Sequence, residues 1–426
     1  MAIISISDSQ VNSADQILVA DSNSKIPAKD GSQITILNAT NVSSGTIASA
    51  RLDTGTTANK LVLLDGSGNL PAVNASLLTG IVSATISASD PTISTNPSGG
   101  VGTEWNNSTS GEMYICTDAT AGANVWTNVG AGTGDIQPFA GNGSTYGYTH
   151  GGTGSNVIDR FPFASDANST DVGNCTIASN PEGSGASSGT YGYVAGGGAP
   201  YSNRIEKVQQ VATANATDVG DLTVTAANKS GSMSPTYGYT AGGYPDTNVI
   251  EKWPFASDTS SSDVGNLLVA KQVMGGNTSS DYGYTHGGRG PGATNHNVIE
   301  RYSYSTDGNS VDVGDLTRTA WGGRGNVQSE TYGWSEGGGA SWHSNVIDRY
   351  QFAASSNATD WGDLSVSQGS GDGHSSSTNG YYTGGGITNG STVGSACEKW
   401  SLSSSGNSTD AFDLSVNRKM VTGTHV

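Results

Sequence analysis

The sequence predicts an all-β chain whose larger, C-terminal part is an array of repeats. A seven-residue motif, Tyr146-Gly147-Tyr148-Thr149-His150-Gly151-Gly152, returns at Tyr191, Tyr237, Tyr282 and Tyr332 and in weaker form at Asn379. The starts lie 45, 46, 45, 50 and 47 residues apart. At such a period each repeat is one supersecondary unit that must bury its apolar face on its neighbours. Short aromatic and β-branched runs alternate with Gly, Ser, Thr and Asn clusters, the signature of brief strands and tight turns.

Taken in order, the first ninety residues hold a shorter repeat. Ala14-Asp15-Gln16-Ile17-Leu18-Val19-Ala20-Asp21 with Lys25-Ile26-Pro27-Ala28 returns 44 residues later as Ala58 to Asp65 with Asn69-Leu70-Pro71-Ala72. Each copy offers an apolar run, a polar turn and a Pro-Ala before another strand. Alone it buries too little apolar surface to offset its chain entropy, so oligomerisation is expected. The run Leu61-Val62-Leu63-Leu64-Asp65-Gly66-Ser67-Gly68-Asn69-Leu70-Pro71-Ala72, with Ser76-Leu77-Leu78-Thr79-Gly80, resembles the N-terminal shaft of tailed-phage fibre proteins. Glu104 to Cys116 followed by Asn124-Val125-Trp126-Thr127 resembles a small β module of such fibres. The resemblance implies a homotrimer that attaches to the virion by its N-terminus, with residues 1–30 for attachment, 31–90 as a β shaft and 91–130 as a β knob. Adhesins and plain linkers share this composition. Trp105, Met113, Tyr114, Ile115 and Trp126 are the expected knob core, and 131–136 reads as a Gly-rich linker.

Residues 137–426 carry the long repeat. Between its Gly-Gly and the following Asn156, Asn203, Asn248, Asn297, Asn345 or Ser395 lie 3, 5, 4, 8, 6 and 9 residues. Subtracting the first five gaps from their periods leaves 42, 41, 41, 42 and 41 residues, so a fixed module carries one loop of variable length. A second segment, Val157-Ile158-Asp159-Arg160-Phe161-Pro162-Phe163 and its copies, reads as a strand buried on both faces. A third, Asp218-Val219-Gly220-Asp221-Leu222, also recurs in every copy. A Gly-Gly doublet, an aromatic in the next strand and an outer Trp-x-x-Leu resemble kelch-type propellers; Trp361-Gly362-Asp363-Leu364 is the literal match, and Val172, Val219, Val264, Val313 and Ala411 stand for Trp elsewhere. The resemblance implies a six-bladed β-propeller of four-stranded blades. Arg418-Lys419-Met420-Val421-Thr422-Gly423 parallels Lys271 to Gly275, so the C-terminal strand is expected to complete the first repeat.

The chemistry available is limited. A net charge of −18 disfavours nucleic acid and anionic membranes. The N-terminus lacks the pattern of a signal peptide, and no apolar run is long enough to span a bilayer, so neither export by that route nor membrane insertion is expected. Cys116, Cys175 and Cys397 read as small core residues. His150 and His286 precede Gly-Gly pairs, but the equivalent positions hold Ala195, Ala241, Glu336 and Thr383, so they read as structural or surface residues. Six recurring acid-base neighbours, from Asp159-Arg160 to Glu398-Lys399, read as scaffold ion pairs, since a catalytic centre needs distinct roles. No metal-ligand spacing, nucleophile elbow or phosphate loop occurs, so no cofactor, metal or enzyme activity is expected. A carboxylate pair across a central channel is left open.

Binding is expected in the variable loops, through Tyr201, Tyr244, Arg289, His296, Trp342 and His343. Exposed aromatics stack on sugar rings and nearby polar groups satisfy hydroxyls. The alternative for these side chains is packing of their own loops. The function expected is a virion tail fibre that joins other tail proteins and presents its propeller to a host surface glycan or protein. A head- or collar-attached structural fibre and a capsule depolymerase are the other readings.

Overall fold

The computed structural model describes residues 84–129, 139, 141–177, 183–198, 200–323, 325–387 and 392–426. The attachment segment, nearly all of the shaft repeat and the Gly-rich linker lie outside the described residues. The chain divides into units 1–83 and 84–426. Within the second, a small sheet pairs Thr85–Ser87 in parallel with Glu104–Asn107, which continues antiparallel through Met113–Asp118 and Val125–Asn128. Strand alternation selects its core: Tyr114, Cys116 and Trp126 are buried, with Trp105 against them. Met113 instead points outward at 43% exposure and Ile115 is half-buried, so the expected core loses Met113 to the opposite face, while Cys116 is buried as expected.

Residues 141–426 form six further antiparallel sheets, one per repeat. Sheet 1 consists of Thr422–His425, Tyr146–Gly152, Ser155–Pro162 and Thr170–Asn174. Sheets 2, 3 and 4 follow the same order, starting at Ser184–Ser187, Ser230–Met233 and Gly275–Thr278. Sheet 6 holds Asp372–Ser375, Asn379–Thr383, Ala396–Ser401 and Thr409–Asp413. In sheet 5 the first strand is an irregular segment near Gln328, bridged to Gly333, beside Tyr332–Glu336, Ser344–Gln351 and Thr359–Gly369. The C-terminal strand thus pairs where expected, with Thr422 opposite His150 and His425 opposite Gly147. Among the described residues no sheet closes into a barrel.

Local chemistry fixes these hairpins. Ser188, Ser234, Ser279, Ser329 and Ser376 accept from the backbone N–H three residues on at 3.0–3.1 Å, turning the first strand into the second. The second residue of the motif, a Gly, is a cradle: a Cβ on Gly147, Gly238, Gly283, Gly333 or Gly380 would strike Phe161, Trp253, Tyr302, Tyr350 or Trp400 on the neighbouring strand. The closing Gly-Gly pairs all have positive φ, from 54° at Gly151 to 133° at Gly197, which a side chain resists.

Successive sheets pack face to face through equivalent cores. Tyr284, Ile299 and Leu316 of sheet 4 bury Tyr350 and Phe352 of sheet 5, and parallel clusters join the other consecutive sheets. The last joins sheet 6 back to sheet 1, with Tyr381, Cys397, Phe412 and Leu414 against Phe161. At the inner edge the first strands touch backbone to backbone. A Cβ on Gly185 would meet the Gly423 carbonyl, on Gly231 that of Gly185, on Gly276 that of Gly231, and on Gly423 that of Gly373. The fifth such position is Asn326, whose amide donates to the Gly276 and Gly231 carbonyls at 3.1 and 3.2 Å.

A buried acid governs each crossing between sheets. Asp159, Glu206, Glu251, Glu300, Asp348 and Glu398 are all buried. Each accepts a hydrogen bond from the residue just past the outer Leu or Cys of the preceding sheet: Ser415, Thr176, Thr223, Leu268, Thr317 and Ser365. Five also hold a cation: Arg418 on Asp159 at 2.9 Å, Lys229 on Glu251 at 3.0 Å, Lys271 on Glu300 at 2.7 Å, Arg318 on Asp348 at 2.6 Å and, at the longer distance of 3.9 Å, Arg204 on Glu206. The expected pairing between sequence neighbours is therefore corrected. Adjacent strand residues face opposite sides, so Arg160, Lys207, Lys252, Arg301 and Arg349 turn outward and lie 4.2–4.9 Å over the rings of Tyr146, Tyr191, Tyr237, Tyr282 and Tyr332. At the outer edge, Asn168, Asn215, Ser260, Asn309, Asn357 and Asn407 each accept from a backbone N–H of the preceding sheet's last strand at 2.9–3.1 Å. Asn168 does this for Asp413, closing sheet 6 on sheet 1.

Removal of residues 417–426 takes away one strand, the buried Arg418 and that strand's contacts with Asp372 and Gly373 of sheet 6 together. Thermal unfolding of the truncated chain is expected to begin far below that of the full chain, and an unchanged melt would refute closure through this strand. Lys271→Met leaves Glu300 buried without its cation and is expected to cost about 3–5 kcal/mol in chemical denaturation. Lys252→Met at the partly exposed Lys252–Asp307 pair should cost about 0–1 kcal/mol, and equal losses would contradict the assigned burial.

Candidate functional site at the variable loops

The variable loops all join the second and third strands of their sheets and leave at the same end. Three are tied down by the segment entering their sheet: Tyr244 bridges Ala227, Arg289 bridges Gln272 and Gly339 bridges Trp321. Side chains then meet across loops. The rings of Tyr201 and Tyr244 stand edge to face at 5.4 Å and remain 45% and 41% exposed. Gln272 donates to Asp246 at 3.2 Å, linking that pair to the next loop. There the Arg289 guanidinium lies 4.4 Å over Trp321, and Trp321 meets Trp342 edge to face at 4.2 Å.

Trp342 sits at φ 84°, held by its N–H bond to the Gly339 carbonyl and by the Asn295 amide on Ala340 at 3.0 Å. The Trp321 Nε1–H donates to the same Ala340 carbonyl at 3.3 Å. The structure thus brings together Tyr201 with Tyr244 and Arg289 with Trp342. His296 and His343 are half-buried in their own loops, and burial lowers the pKa of each. Trp321 was not among the expected residues because it lies outside the variable loop. A signal existed: it occupies the position of Lys271 and Arg418, where a buried cation belongs, and Arg318 three residues earlier supplies that cation instead.

The inner edge offers little room. A cavity of about 10 Å³ lined by Ser184, Gly231, Asn326 and Asp372 would hold a single water. The Asp372 carboxylate accepts from the Gly373 and Gly423 N–H groups at 2.8 and 2.7 Å, a structural role. Among the described residues no three His, Cys, Asp or Glu side chains gather as a metal site would require. The three cysteines are free and buried, and burial raises each thiol pKa.

The histidines before Gly-Gly are not surface residues. His150 is buried with Nε2 2.8 Å from the Thr424 hydroxyl, and His286 is buried likewise. His374 contacts the Thr383 and Thr149 hydroxyls at 2.9 and 3.3 Å and the Thr424 carbonyl at 3.1 Å, and His425 reaches the Gly141 carbonyl at 2.8 Å. Burial pushes His150, His286 and His374 from 6.5 to about 3 and His425 to about 4. They are neutral scaffold groups at physiological pH.

Neither protein-family models nor characterised protein sequences match the chain.

The histidines set an acid limit. The folded state keeps them neutral while the unfolded chain takes up protons below about 6.5, so their contribution is complete above that pH and is lost as the pH falls toward 3. The melting temperature is expected to drop steadily through this window, and less steeply in His150→Gln. A flat profile over the window would contradict their neutral burial.

Proposed function

We propose that the chain is a trimeric phage tail fibre whose six sheets form a kelch-like propeller, attached to the virion by the N-terminus and recognising a host surface glycan or protein with the loop end. The observation that carries this reading is the row of Tyr201, Tyr244, Arg289, Trp321 and Trp342 along one set of loops. Its rings come from three different sheets, with Arg289 supplied by a fourth, and their partly exposed edges offer apolar area to sugar faces. Asp246, Gln272 and Asn295 stand beside them as hydrogen-bonding groups. The acidic scaffold supports a neutral glycan, or one that meets Arg289 first, over a dense phosphate polymer. Three such edges on one trimer would act with avidity, so each needs only modest affinity.

The test is retention of the full-length protein on a panel of bacterial envelope polysaccharides, with release of fragments recorded alongside. Retention without release is expected, and release would make the protein a depolymerase. Trp342→Ala should abolish retention with little change in melting. A loss of about 3–5 kcal/mol in stability with retention intact would give Trp342 a packing role and move the binding site elsewhere.

A further inference from the structure

The position just before each Gly-Gly pair is held by His150, Ala195, Ala241, His286, Glu336 and Thr383, all of them buried. Five are neutral side chains, and Glu336 is the exception. Its carboxyl lies between the first strands of sheets 5 and 6, where a Cβ on either Gly325 or Gly373 would strike it. The side chain is wholly buried, and among the described residues neither carboxyl oxygen has a hydrogen-bond partner.

The groups facing it are engaged elsewhere. Arg318 gives Nη1 to Asp348 at 2.6 Å, Nη2 to the Gly337 carbonyl at 2.7 Å and Nε to the Gly338 carbonyl at 3.2 Å. Asp372, on the first strand of sheet 6, accepts from the Gly373 and Gly423 N–H groups and sets a like charge toward Glu336. Tyr350, on the third strand of sheet 5, donates to the Asn277 side chain at 2.6 Å. Burial first, and then Asp372, raise the Glu336 carboxyl well above its usual 4.5, against the pull of Arg318. A protonated carboxyl fits this place, and a carboxylate would need donors that the inner edge does not supply.

The two flanking strands differ in how firmly they are held. In sheet 6, Asp372–Ser375 pairs with its neighbour at four positions. In sheet 5, among the described residues, the corresponding segment pairs at one bridge, Gln328 with Gly333. It is otherwise tied to sheet 4, where the Gly325 carbonyl accepts from the Gly276 N–H at 2.9 Å and the Asn326 amide reaches two carbonyls. The weaker strand is therefore the one that yields, and Trp321 stands four residues before Gly325 on the same connection.

We propose that Glu336 is a pH-sensitive latch: as a neutral acid it lets the first segment of sheet 5 close on sheet 6, and as a carboxylate it drives that segment off the inner edge. The proton passes to solvent. The latch belongs to the scaffold and operates whether or not the loop end binds a glycan.

The unfolded chain ionises Glu336 near 4.5 while the folded state keeps the proton, so its contribution is complete below that pH and is lost as the pH rises toward the folded value. Denaturation of full-length wild type and Glu336→Gln is compared from about pH 5 to about pH 9. Both proteins keep the buried histidines, whose contribution cancels in the difference. The folding constant of Glu336→Gln relative to wild type should grow by up to about tenfold per pH unit. Amide exchange at Asn326 and Gln328 should quicken more in wild type than in Glu336→Gln over the same range. Infrared spectra of wild type at neutral pH should contain a protonated-carboxyl band that Glu336→Gln lacks. Glu336→Ala, which places here the residue found in sheets 2 and 3, serves as the comparison if Glu336→Gln does not fold. No protonated carboxyl at neutral pH, a difference in stability that is constant with pH, or equal exchange in the two proteins would each overturn the proposal.

Discussion

The rest of the structure depends on how closely the first strands of the sheets approach one another. Gly423, Gly185, Gly231, Gly276 and Gly373 stack backbone on backbone, each where a Cβ would collide with its neighbour. Contact at this range fixes the distance between sheets along the inner edge. The faces beyond can then interleave large aromatics such as Tyr350, Trp253 and Phe161 at close packing. Asn326 breaks the series in sheet 5, and its amide fills the space with hydrogen bonds to two glycine carbonyls. The first strand of that sheet is correspondingly irregular.

Charge is distributed with the same regularity. Each buried acid captures the chain as it passes from one sheet to the next, and in five of the six sheets its outward neighbour covers a tyrosine face. The inner acids are costly to bury and repay it only when their cation and N–H donors are present together. This explains why Arg318 appears where Trp321 has displaced the usual cation. It also separates scaffold from surface: groups that recur from sheet to sheet hold the array together, and a group that occurs once, such as Trp321, lies at the loop end.

Much of this was legible beforehand. The periods, the constant module beside a variable loop, the Gly-Gly turns and the return of the C-terminal strand all follow from internal alignment. The glycine six residues before four of the six motifs and the Asn three before five of the six outer Asp residues also recurred, but their role lies in contacts between sheets and has no local signature. The acid-base neighbours misled because sequence adjacency on a strand means opposite faces. Met113 misled for the same reason in the small sheet.

The sequence by itself determined the all-β class, the number of repeats, which segments are strands and which loop of each is free to vary, because these are set by local spacing and turn chemistry. Only the tertiary structure decided that Arg418 serves Asp159 across the whole array, that Trp321 joins Arg289 and Trp342, and that Glu336 lies between the first strands of sheets 5 and 6. Such partners are chosen by which sheets come to lie side by side, and that is settled by packing between residues far apart in the chain.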